Sequence, residues 1–155
     1  MRRTTARQIA VQLGFYAAAS GKPADVIAEE FFDEDYYASL ASVDELYSEY
    51  PDPAQMEYIV RLAKLMQEHS AEIEAYIGKY SRGWKESRIS KTAMAVMRCA
   101  VCEVLYMDDV PNAAAINEAV EIAKSYEEPE TVAFINGILG GFMRGEMSPS
   151  ETYYE

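Results

Sequence analysis

The sequence has one histidine, His69, and two cysteines, Cys99 and Cys102. That poverty excludes several chemistries at once. A closed zinc site takes four Cys or His ligands, and di-iron bundles take a Glu-x-x-His motif from each of two helices. Neither set is available. The Cys99-Ala-Val-Cys102 pair falls in the middle of an apolar helical run, whereas a reactive pair needs a helix N-terminus to depress the thiol pKa. Buried, inert thiols in a reducing compartment are expected. No apolar run reaches the ~18 residues of a membrane span, and the opening MRRTTARQIAVQ lacks the apolar core and small-residue cleavage site of a secretory signal. A cytoplasmic protein without a membrane partner is expected. No Gly-rich phosphate loop follows a strand and no Ser, His and Asp set stands out, so the chain is expected not to be an enzyme, with no metal and no cofactor.

Bases are also scarce, and unevenly so. The net charge is −12 over 155 residues, and no basic residue occurs between Lys22 and Arg61. The acidic run there is expected to be a solvated face. The start, by contrast, holds Arg2, Arg3 and Arg7 without an acid, and residues 79–98 carry six bases against Glu86 alone. Local basic surface steers an anion even when the total is negative.

What is present is helical period throughout, without strand alternation. Thr5-Ala6-Arg7-Gln8 reads as a capping box opening a first helix that buries Ile9, Leu13 and Tyr16 and stops at Gly21. A second helix is predicted over 24–33. Residues 34–52 are acidic, tyrosine-rich and weakly periodic, and read as a connecting excursion with a short turn near Ser42. Asp52-Pro53 supplies a cap and a first-turn proline for the next helix. Others follow from about Ser70 to a stop at Gly83, then over 90–106, from Asn112, and from Glu128-Pro129 to Gly140-Gly141. The fold class is all-α, about seven helices in two packed helical subdomains, 1–69 and 70–145, with a flexible acidic tail at 146–155.

If the first helix reaches back to Arg3, then Arg3 and Arg7 share a face with Thr4 and Thr5 alongside, a set suited to phosphates. In the last helix, at roughly 100° per residue, Val132, Ile135, Ile138, Leu139 and Phe142 form the apolar stripe. Phe134 falls at its edge, one turn after Glu130, where an aromatic ring either packs under a neighbouring loop or stacks on an unpaired base. Asn117 and Asn136, each following an isoleucine, border the buried arcs of the last two helices. They are expected to be structural locks between them.

ARQIAVQ, the W-x-x-x-R-I of residues 84–89, MRCAVCEVLY, DVPNAAAINEAVEIAKSY and FINGIL, as they stand here, resemble the NusB family of transcription antitermination factors from end to end. The resemblance implies an RNA-binding function: single-stranded boxA-like nascent RNA held together with the ribosomal protein NusE, within the RNA polymerase antitermination complex, promoting read-through in ribosomal RNA operons. Carried over residue by residue, it implies RNA contacts at Arg2, Arg3, Arg7, Phe15, Glu130 and Phe134. It also implies a partner surface at the head of the long helix, at Ala93, Met94 and Met97. There this chain reads Ala93-Met94 where relatives often have an acid and a base. The other reading is a helical protein-interaction module of the same fold with weak or lost RNA binding. Ribosomal RNA cytosine methyltransferases contain a related domain, but with the sequence ending at Glu155 their nucleotide-cofactor domain is not expected here.

Overall fold

The computed structural model describes residues 1–82 and 89–147. It forms two compact units, Met1–Glu68 and His69–Glu155. Among the described residues every regular element is a helix, in keeping with the all-α expectation.

The first unit contains α1 (Arg3–Ser20), α2 (Ala24–Phe31), α3 (Glu34–Leu40), a 3-10 turn (Glu45–Tyr47) and α4 (Pro53–Glu68). Helix α1 starts at Arg3, two residues before the predicted capping box, and has no side-chain cap. It ends where Gly21 takes φ 73°, a left-handed conformation that costs glycine little, with its N–H donating to Ala17 O. Its buried arc includes Ile9, Ala10, Val11 and Leu13, whereas Tyr16, expected inside, is 42% exposed. Helix α4 opens as predicted, with the Gln55 N–H donating to Asp52 Oδ1 at 3.1 Å. Helices α1 and α4 run in the same direction. Arg3 meets Gln55 at their starts, Gly14 faces Met66 further on, and Gln67 bonds Lys22 O and Ala24 N just beyond α1.

Segment 34–52 is not the excursion its weak periodicity suggested. The Asp33 carboxylate accepts the Tyr36 N–H at 3.0 Å and caps α3. Phe31 lies edge-on to Tyr36, Tyr37 and Tyr47, and Phe32 stacks on Tyr37. Two phenols tie the backbone: Tyr37 donates to Glu49 O at 2.9 Å and Tyr50 to Phe32 O at 2.7 Å. Burial pushes the Tyr37 hydroxyl up to about 12, so it stays a donor at ordinary pH. Ring-on-ring packing needs no helical period, which is why a pattern search overlooks this cluster.

The second unit contains α5 (Ser70–Tyr80), α6 (Lys91–Tyr106), α7 (Asn112–Tyr126) and α8 (Pro129–Glu146). Counting α3, eight α-helices lie among the described residues, against about seven expected. Helix α6 is central, with α5, α7 and α8 all packed against it. Ser90 caps it by accepting the Ala93 N–H at 3.0 Å. Both cysteines are buried, and burial followed by the nearby Glu103 carboxylate raises the Cys102 thiol to about 12. Inert thiols follow from that.

Helix α8 does not stop at Gly140-Gly141 as predicted. A Cβ at Gly141 would lie 3.2 Å from Tyr80 Cδ1, and Gly145 faces the same ring. These glycines admit the α5 tyrosine and do not break the helix. Glu146, expected in a flexible tail, is the last residue of α8 and accepts from Lys79 Nζ at 2.6 Å and from Tyr80 OH. The rest of that tail from residue 148, the Gly83 stop and the 84–88 part of the basic linker lie outside the described residues.

The expected asparagine locks are also corrected. Asn117 and Asn136 are exposed, and neither side chain bonds another described residue. The helical period carries both amides past the border of the core, Asn117 onto the face of exposed Glu121 and Lys124.

Candidate nucleic-acid interface

The first cluster lies where α1 and α4 begin. Two helix N-termini at one end concentrate unpaired N–H groups and partial positive charge. Arg2 and Arg3 are exposed there. The Arg3 guanidinium sits 4.0 Å above the Tyr58 ring centre, and its Nε donates to Gln55 Oε1 at 2.8 Å. Arg7 lies 5.5 Å from the same ring, but it is only 4% exposed. Cation-on-ring stacking orients a guanidinium without consuming its donors. Arg3 therefore keeps most of its fork available, while Arg7 presents little surface to any ligand.

Acids temper this end. The amino group of Met1 donates to Glu49 Oε2 at 2.8 Å and Asp52 Oδ2 at 3.2 Å. Those bonds, Glu49 first, raise its pKa, while the Gln55 N–H and then the amino group lower that of Asp52. The two carboxylates are thus both engaged by the Met1 amino group. Phe15 is half-buried, edge-on to Tyr16 at 5.8 Å, and lies on α1 about 18 Å along the axis from Arg3.

The second cluster belongs to the other unit, at the start of α8. Glu130 is exposed in its first turn and Phe134 is half-buried one turn later. Glu127 and Glu128 precede them, and Glu127 accepts the Ser90 hydroxyl at 3.0 Å. Carboxylates at a helix N-terminus favour the helix but repel phosphate. This end suits a base edge with amino donors and a ring face, not a backbone. At the head of α6, Ala93 and Met97 are 0% exposed while Met94 is half-buried. Of the three positions expected to meet a partner, Met94 is the one that reaches solvent.

Sequence reasoning missed Tyr58 and Gln55, which hold Arg3. The available signal was a tyrosine beside Ile59 and Leu62 on the inner face of α4, inside the same unit as the arginines.

The model of the NusB family matches residues 4–144. The chain belongs to the NusB family. A transcription antitermination protein NusB of Thermoanaerobacter sp. (strain X514) is 37% identical over 147 residues, 94% of this chain and 93% of that protein. The one from Acetivibrio thermocellus is 44% identical over 95 residues, 61% of this chain and 66% of that protein. The solved structure of T. maritima NusB superposes with a TM-score of 0.76 at 26% identity, over 97% of this chain and 96% of that one. Among the described residues of this NusB-family chain, no helix is long and apolar enough to cross a membrane.

Proposed function

We propose that this chain is a transcription antitermination factor that binds single-stranded boxA-type nascent RNA together with the ribosomal protein NusE and promotes read-through in ribosomal RNA operons. The observation that carries the reading is the family match over residues 4–144. The surfaces support it by a division of labour. Arg2 and Arg3, at the shared start of α1 and α4, take phosphates. Glu130 accepts from base amino groups, and Phe134 and Phe15 offer ring faces. Arg7, buried over Tyr58, acts by positioning that ring and so Arg3. Met94 gives the protein partner an apolar contact where relatives have charge.

With two exposed cations engaged, binding without the partner is weak and salt-sensitive. Titrating a boxA-like RNA with and without NusE at low salt tests the proposal. Tighter binding with NusE is expected, and absence of binding in both titrations rejects it. A second reading, a protein-interaction module of the same fold with weak or lost RNA binding, is favoured by the burial of Arg7 and the net charge of −12. It expects Arg3→Ala and Phe134→Ala to leave activity unchanged.

A further inference from the structure

Apart from the RNA-facing surfaces, the first unit has a groove of about 540 Å³ lined by Tyr16, Ile27, Glu30, Phe31, Asp33 and Tyr36. Its walls are aromatic and its rim is anionic. Tyr16 is 42% and Tyr36 50% exposed, and both rings lie against buried Phe31, so part of each is open to solvent beside the groove. Glu30 and Asp33, both exposed, supply its two carboxylates. Lys22 is the sole base between Arg7 and Arg61. It reaches Glu30 at 3.5 Å, with both side chains more than half exposed, so the pair is weak and readily exchanged.

We propose that this groove receives an arginine or lysine side chain carried on a basic segment of a protein partner. The charge selects the occupant. A phosphate backbone would meet the Glu30 and Asp33 carboxylates with Lys22 alone to offset them. A cationic side chain instead gains Glu30 and Asp33 at its head, while its methylenes lie along Ile27 and Phe31. Its charge also faces tyrosine rings, the arrangement that this unit already uses where Arg3 sits 4.0 Å above Tyr58. The site borders the proposed RNA surface at Phe15, whose ring meets Tyr16, but its acids and its occupant do not depend on that reading.

The test is titration of the full chain with a fluorescein-labelled hexa-arginine peptide at low salt, followed by anisotropy, with amide NMR shifts to locate it. Shifts should centre on Tyr16, Phe31 and Tyr36. Tyr36→Ala should weaken binding about fivefold although no charge changes, and Tyr36→Phe should retain it. Glu30→Gln should weaken it about threefold, whereas Glu72→Gln, an equal charge change at an exposed position of α5, should stay within about twofold. Thermal unfolding checks that each variant is folded, and exposed Glu30→Gln serves if Tyr36→Ala is not. Equal weakening by Glu30→Gln and Glu72→Gln overturns the proposal, because the peptide then senses net charge alone. So do shifts centred elsewhere, self-association through the groove, or a single-stranded RNA that displaces the peptide from it.

Discussion

The two units solve the same packing problem with different side chains. The first fills its interior with rings: Phe31, Phe32, Tyr37, Tyr47 and Tyr58 are each 8% exposed or less. The second has one ring so deeply buried among its described residues, Phe142, and packs mainly with Val96, Met97, Val101, Ile135 and Leu139, while both units bury alanines where their helices approach. Aliphatic residues at helical spacing leave a legible period. Rings reaching across loops do not. The first unit also segregates its charge, basic where α1 begins and acidic around α2 and α3, so a total of −12 says little about what either end can bind.

Substitutions in the two interiors break this contrast most directly. Tyr58→Ala removes a fully buried ring and the seat of Arg3 and Arg7, and should cost about 3–5 kcal/mol by denaturant unfolding. In the second unit, Gly141→Val drives a branched side chain into the Tyr80 ring and should cost about 1–3 kcal/mol. Phe134→Ala, at the edge of that same unit, should weaken boxA RNA binding by about 1–3 kcal/mol with little change in stability. A stability loss of that size with unchanged binding would make Phe134 core and nothing more.

A subtler contrast concerns the clasp between α5 and α8. Hydrogen bonds from Lys79 and then Tyr80 hold the Glu146 carboxyl below its usual range. A depressed carboxylate stabilises the fold above its unfolded pKa and loses that contribution as pH falls through its folded value. Wild type should therefore melt above Glu146→Gln at about pH 7, and the difference should shrink as pH falls below the ordinary glutamate range. The smallest effect belongs to Asn117→Ala. With no partner to lose among the described residues, it should change stability by no more than about 0.5 kcal/mol.

Helix positions in the second unit were largely legible, because Ser90, Pro111 and Pro129 mark starts and alanine-rich stripes mark faces. The errors have local causes. Gly140-Gly141 carries the sequence signature of a terminus, yet Gly141 makes room for a ring on another helix, a tertiary fact no local pattern encodes. Tyr37 and Tyr47 sit in a run too acidic and too aperiodic to read as core. Asn117 and Asn136 lay so near the border of their stripes that a small rotation decided between lock and solvent. Arg7 reads as surface because it is charged, although Ala6 and Ala10 beside it belong to the buried arc.

The central claim is that two exposed arginines in the first unit, and not the acidic surface around them, hold RNA. It is tested by the slope of log affinity against log salt for a boxA-like RNA with wild type and with the Arg2→Ala/Arg3→Ala double variant. Two phosphate contacts predict a slope of about −1.4 for wild type, collapsing toward zero in the variant. An unchanged slope in the variant would contradict the claim.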